Sequence, residues 1–570
     1  AGFEMDAAGV AGAAGVWRVR PNPTAAGHGT TWGSAMALQT ALNDPSCEQL
    51  WLARGLYTPT SGADRSISFH IRPGVEVLGH FAGTETDPGQ RKLDESSWET
   101  ALSGEIGTSV QTDNSYHVVV FDGTSNPISP DTMLADVTVT KGFSSTDAYD
   151  YPNNAGAGVF CDGSGSAGRC SPTLSNVRIT DNTALNGGGM FNVAANGGQS
   201  QPQLWSAEFR NNTALKGGAM FNAATKFGRV NPILISYDFA DNSAVYGGAI
   251  YNEADEATIS PVLIGGTFFD NSATQLGGAV YNKASTSAWV DPNFTNTRFS
   301  SNSATQAGGA VYSLGEVGST SRPEFHNVDF YLNDANLGGA LFNADVGNFG
   351  AVVVERATFR ANHAVDGGAI YNYGKGSNYS TDPALVNVTF HGNSASGNGG
   401  AVYNDGSDYG AANPRFSNAT FSNNSARHGG AIYSNGHNGN SHTTLNNVIL
   451  WQNMASQDAG TAQMGDNDAD ATLNDSIVEG GCPVSAQGTI TCSNVISIDP
   501  QLGPLADNGG FTLTRLPGAS GSAIDAGNDS TCATVDQRGT ARPQGAHCDI
   551  GAVESTGQVS SDIIFQNGFE

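Results

Sequence analysis

Along the middle of the chain, apolar residues come in short bursts separated by Gly, Asn and Pro, with no long stripe at helical spacing. Four stretches, from Ile179, Phe209, Phe239 and Phe359, read ITDNTALNGGGMFN, FRNNTALKGGAMFN, FADNSAVYGGAIYN and FRANHAVDGGAIYN. The first Gly of each Gly-Gly pair falls at 187, 217, 247, 277, 308, 338, 367, 399 and 429, a spacing of 29 to 32 residues. A period this regular marks a solenoid. Gly-Gly, Pro and Asn recur too often for helix, and short apolar runs bounded by turn residues predict strands.

Each repeat carries the same parts. A Pro-x-apolar start, as at Pro172/Leu174, Pro202/Leu204 and Pro383/Leu385, leads to an apolar residue three before an Asn. The Asn row is Asn182, Asn212, Asn242, Asn271, Asn302, Asn333, Asn362, Asn393 and Asn424, with a degenerate copy at Asn453. A second row runs Asn192, Asn222, Asn252, Asn282, Ser313, Asn343, Asn372, Asn404 and Ser434. One such unit cannot bury its own apolar side, but coiling stacks Phe on Phe at the strand spacing of ~4.8 Å. The handedness rule for parallel connections makes the coil right-handed. The expected fold is all-β: a right-handed parallel β-helix with an N-terminal cap and a small C-terminal β domain. Asn at one corner of successive coils should form a side-chain amide ladder, and Gly should permit the tight corner before the next strand.

The paired FxxN and GGA[ILV] motifs resemble the repeats of the chlamydial polymorphic membrane proteins and, more broadly, secreted bacterial β-helix proteins. The resemblance covers about residues 170–455. It implies surface display and adhesion, although no outer-membrane barrel follows, so attachment is expected to differ from that family's. The stretch 504–555 resembles the choice-of-anchor domain of bacterial surface proteins through Asp507-Asn508-Gly509, Ala523–Gly527, Asp536–Gly539 and Asp549–Glu554. It implies export with a surface anchor. The ending SDIIFQNGFE resembles a short tail shared by exported proteins of gamma-proteobacteria. The organisation read from these signals is an arm at 1–16, a cap with first coils at 17–170, and regular repeats at 171–455. Last coils follow at 456–503, the anchor-like domain at 504–555 and a tail at 556–570. Within the cap, Trp32–Asn43 reads as a short amphipathic helix, and Glu48–Tyr57 and Val75–Phe81 as strands.

Charge narrows the function. With 25 Lys+Arg against 53 Asp+Glu, the formal charge is −28, which excludes the basic footprint of a nucleic-acid binder. No apolar run reaches 18 residues, so no transmembrane helix is expected. The start at Ala1 is read as an exported chain after signal-peptide removal, at the cell surface or outside it. The seven cysteines suggest three short loops suited to an oxidising compartment: Cys161–Cys170, Cys482–Cys492 and Cys532–Cys548. Cys47 remains, either as a buried thiol or as an intermolecular bridge.

Candidate chemistry is sparse. β-Helices also carry polysaccharide lyases and hydrolases, which need paired carboxylates or a calcium cluster with a basic residue. Glu355, Arg356, His363 and Asp366 share one repeat, but read as solvated surface residues. Asp466, Asp468 and Asp470 alternate as calcium-loop ligands do, yet lack the loop Gly and distal Glu of an EF-hand. Calcium is the one candidate cofactor. Trp205, Trp289 and Tyr246 offer aromatic faces for sugar stacking, with coil packing as the plainer role. Ile563, Ile564 and Phe565 form a short apolar strand that could add to a neighbouring subunit. The open ends of the coil also invite end-to-end contact. The expected function is therefore an exported structural subunit, fibre-forming or adhesive, with a homopolymer or a cell-surface glycan as partner. The alternative is a carbohydrate-binding or polysaccharide-cleaving β-helix.

Overall fold

The computed structural model describes residues 15–23, 27–94, 99–316, 318–345, 352–377, 379–485 and 487–555. The expected arm before residue 15 and the tail with Ile563, Ile564 and Phe565 lie outside the described residues. The chain forms two compact units, residues 1–324 with 345–350, and residues 325–344 with 351–570. Both are built from parallel β-coils, so the protein is an all-β parallel β-solenoid with one six-residue α-helix among the described residues.

In the first unit each coil contributes strands to separate parallel sheets. One sheet stacks Met133–Thr140, Thr173–Thr180, Gln203–Arg210 and Ile233–Ala240 in unshifted register. Another stacks Val159–Asp162, Met190–Ala195, Met220–Thr225, Ile250–Asp255 and Val280–Ser285. Identical residues therefore face one another: Phe209 lies on Phe239 at 4.7 Å between ring centres, and Phe239 on Phe268 at 5.0 Å. These rings are fully buried and form the core. In the second unit the same core row runs Phe330, Phe359, Phe390 and Phe421, at 4.5, 4.9 and 4.4 Å.

The Gly-Gly pair is fixed by two separate needs. Gly217 sits at φ +61°, the left-handed region. A Cβ on Gly218 would come within 2.3 Å of the Gly248 carbonyl oxygen of the next coil, so any side chain would force the coils apart.

The N-terminal end differs in detail from the sequence reading. Instead of one helix, Trp32–Ser34 makes a 3₁₀ turn and Leu38–Asn43 the α-helix. Between them Met36 pairs in parallel with Val19, and its N–H and carbonyl bond Arg18 and Arg20. Backbone pairing to the strand Val16–Val19 therefore overrides the helical pattern. The helix still buries Leu38, Ala41 and Leu42.

The segment 504–555 also departs from expectation. It contains no strand, only two isolated antiparallel bridges, Ala506 to Thr514 and Val535 to Ala541. Buried polar contacts replace a β ladder. Arg542 pairs with Glu554 at 3.0 Å, both side chains 1% exposed, and also donates to the carbonyls of Asp549 and Gly551. Asp536 accepts from the N–H groups of Arg538, Thr540 and Glu554. The motifs singled out in the sequence are thus the internal fasteners of an irregular fold.

Candidate functional site

The Asn rows bond along the coil itself. Asn212 Oδ1 accepts from the Asn182 N–H and from Asn182 Nδ2, at 3.2 and 3.1 Å, and Asn212 Nδ2 donates to the Ile179 carbonyl at 2.8 Å. The pattern repeats through Asn242, Asn271 and Asn302. In the second unit it runs from Asn333 through Asn362, Asn393 and Asn424 to Asn453. All of these side chains are buried. The second row makes single amide bonds, Asn192 to Asn222 to Asn252 to Asn282 at 2.8 Å each. Its first member is incomplete: the Asn192 Oδ1 is buried without a partner, because Cys161 occupies the matching place in the preceding coil.

Outward rows carry what the coil leaves for other uses. The residue before each core Phe faces out, and in the first unit this row is Thr138, Arg178, Glu208, Asp238, Thr267 and Arg298. Arg178 and Arg210 each donate to Glu208 at 2.9 Å, and Arg210 also reaches Asp238 and Asp241. Burial would raise the Glu208 carboxyl, but the bonds from Arg210 and Arg178 outweigh it and hold its pKa below the ordinary value. A cleft of about 250 Å³ beside this row is lined by His80, Glu99, Asp136, Asn176 and Arg178. Asp136 there is held by Arg91 at 2.6 Å and Asn176 at 2.8 Å, and Glu99 accepts from Thr138 at 2.8 Å. The carboxylates of this cleft that face the coil are thus tied to neighbours in geometry that orders a surface.

The matching row of the second unit, Thr358, Thr389, Thr420 and Ile449, is buried. Residues 504–555 lie across it. Gln537 joins Thr358 and Thr389 at 2.8 and 2.6 Å, and the Ala552 N–H donates to Thr420 Oγ1. Three residues before the core position of successive coils stand Asn387, Asn418 and Asn447, all left-handed at φ 51–55°. Asn387 donates to the Val535 carbonyl at 2.8 Å, Asn418 accepts from the Ala533 N–H at 2.9 Å, and Asn447 accepts from the Asn528 N–H at 2.8 Å. Sequence reasoning passed over this docking row. Asn-x-x-apolar recurs in these three consecutive repeats, but Asn176 and Asn296 of the first unit stand at the same position on either side of Ser206, Ser236 and Gly265, so the pattern alone does not mark the row.

The other candidates fall as follows. Disulfides join Cys161 to Cys170, Cys482 to Cys492 and Cys532 to Cys548. Cys47 is buried and unpaired, and desolvation pushes its thiol up to about 11. Asp466, Asp468 and Asp470 do not converge. Asp466 accepts from Ser485 and Gly488, Asp468 pairs with His437 at 2.9 Å from a left-handed corner, and Asp470 accepts from the Thr489 N–H. No group of three metal-ligating side chains occurs among the described residues, so the calcium candidate has no assembled site. Asp466 lines a groove of about 800 Å³ with Tyr433, Asp458, Gln463, Glu479 and Cys482. The lyase-like residues also separate: Glu355 meets His326, His363 meets Asp334, and Asp366 accepts from Asn398. Trp205 and Tyr246 are half-buried, whereas Trp289 is exposed.

Fold and rows together define a parallel β-solenoid with self-closed interior polar rows. Four stretches, 265–283, 296–314, 387–405 and 418–435, match the model of the Chlamydia polymorphic membrane protein repeat. Among curated proteins nothing matches. Among solved structures the chain is similar to pectate lyase Pel9A, at 13% identity and a TM-score of 0.30 over 95% of this chain and 96% of that one. No helix among the described residues is long and apolar enough to cross a membrane.

Proposed function

We propose that the chain is an exported, surface-exposed structural β-helix that acts by adhesion, holding a partner on its outward rows. One observation carries this reading: stretches matching the polymorphic membrane protein repeat lie on coils whose interior Asn rows bond along the coil, leaving the outward rows as the variable part. Three disulfides support an oxidising compartment. Tethering of carboxylates to arginine or to backbone supports a binding surface over a polysaccharide-cleaving site.

Two measurements test it. Surface labelling of intact cells producing the full chain should tag the protein, and such cells should adhere better than cells lacking it. Purified chain incubated with polysaccharides should release neither reducing ends nor unsaturated products. Turnover in that assay would replace the adhesive reading with the enzymatic one. Electron microscopy of the full chain beside one ending at residue 555 decides whether adhesion involves fibres: filaments that vanish on truncation mean assembly through the tail.

A further inference from the structure

We propose that the corner around Phe227 and Trp289 in the first unit is a binding groove for an anionic glycan. It names a ligand class for the adhesive reading and depends on that reading only for its use in the cell. The groove, about 310 Å³, is lined by Phe227, Arg229, Glu256, Thr258, Ser287 and Trp289. It spans three successive coils, since Arg229 pairs with Thr258 and Thr258 with Trp289 along one outward row. The inward neighbours Val230, Ile259 and Val290 are fully buried, so the coil fixes the row's direction.

Phe227 stands out in the first unit, as Tyr409 does in the second, where it holds φ +70° and is 80% exposed without a second exposed ring or cation row beside it in a described groove. At the Phe227 corner three coils take two consecutive left-handed residues, Asn196 and Gly197, Lys226 and Phe227, Thr286 and Ser287, and the coil between the last two takes one, Glu256. Where a neighbouring coil uses glycine, Phe227 holds φ +65°, an unfavourable conformation for a bulky side chain. Its ring is 77% exposed, so packing does not offset the strain. A strained, exposed aromatic residue is the kind of feature retained for contact with something else. Trp289 adds a second face, 45% exposed. Its row position is two coils from that of Arg229, a rise of about 9.6 Å at ordinary strand spacing, within reach of a short run of sugars. Sugar rings present C–H faces to aromatic rings, and their hydroxyls suit the Thr258 hydroxyl and the Glu256 carboxylate.

The charge selects among glycans. Neither Lys226 nor Arg229 makes an ion pair or side-chain hydrogen bond among the described residues, a state they share with Arg54, Lys141, Arg356 and Arg415, but only these two stand beside a pair of exposed rings. Both flank Phe227. Two unengaged cations beside two exposed rings complement a sugar bearing a carboxylate or sulfate. At physiological salt the chain's remaining negative charge is screened beyond about 8 Å, so a short acidic segment meets mainly the local field.

The test is titration of the full-length chain with an oligouronate, a heparin hexasaccharide, maltohexaose and a single-stranded oligonucleotide, read by calorimetry and tryptophan fluorescence. One of the two anionic sugars should bind and maltohexaose should bind at least tenfold more weakly; which anion wins separates carboxylate from sulfate recognition. Trp289→Ala, Phe227→Gly and Arg229→Ala should each weaken binding about tenfold. Phe227→Gly should also melt no lower than the parent, which shows that the loss is not unfolding. Equal binding by all variants, no binding of either anionic sugar, or tighter binding of the oligonucleotide would overturn the groove. Glycan binding by the purified chain with no gain in adhesion of cells producing it would overturn the adhesive reading and leave the groove standing.

Discussion

His117 shows what a single side chain adds to the coil. It is 8% exposed, shares an Nδ1 contact of 3.1 Å with the Gly156 carbonyl, and lies 4.9 Å from the Phe160 ring. Burial depresses its pKa from 6.5 to about 4. The unfolded chain therefore binds a proton between those values that the native state refuses. This contribution is fully present above pH 6.5 and is lost as pH falls toward 4. Thermal melts of the parent should drop over that window, and His117→Gln should flatten the slope; a parent melt independent of pH would refute the assignment. His70 is depressed by burial as well and adds in the same direction. Asn212 gives a second test. Asn212→Ala removes the acceptor of the Asn182 N–H and a donor to the Ile179 carbonyl, while Asn182 Nδ2 keeps the carbonyls of Val139 and Thr180, at roughly 1–3 kcal/mol for a buried group left unpaired. Denaturant unfolding measures it, and an unchanged midpoint would mean that water replaces the ladder. The ladder was legible because the residue recurs every coil; His117 was not, because neighbouring coils carry no counterpart.

Between residues and molecule stand the stacked rows and the irregular cover. Phe330 is fully buried and stacked on Phe359, so Phe330→Ala should cost about 3–5 kcal/mol, seen as a lower melting temperature. The cover is held through polar contacts to Asn387, Asn418 and Asn447, through Gln537 on Thr358 and Thr389, and through Ala523 and Ile550 packed with Ile449 and Ile477. Replacing the three Asn with Ala should loosen residues 504–555 while the coil row Phe359–Phe390–Phe421 persists. Hydrogen exchange should rise at the Ala533 and Asn528 N–H groups before it rises in the core strands; simultaneous loss would show that cover and coils are one cooperative unit. Strands were readable from apolar bursts between turn residues. The path of the cover was not, since its fasteners, such as Arg542 with Glu554, obey no period and reveal themselves only in three dimensions.

At the scale of the molecule, the solenoid follows from repetition alone: a period of 29 to 32 residues, Gly-Gly corners and Asn rows admit few other folds. The outward surface does not follow, because exposed positions are free to vary and carry no period. The cover has a further consequence, for how such a chain can lengthen or shorten over generations. A cover that touches Asn387, Asn418 and Asn447 in turn acts as a ruler with marks one coil apart. Loss of a whole repeat from the bare stack, such as residues 213–242, rejoins Asn212 to Ser243 in phase and should yield a folded, shorter protein. Loss of residues 394–424 removes the middle mark, and the ruler no longer fits. Circular dichroism and yield of the two deletions would compare them. Duplication and loss of repeats are thus expected to be tolerated where the coils are uncovered and purged where they are measured.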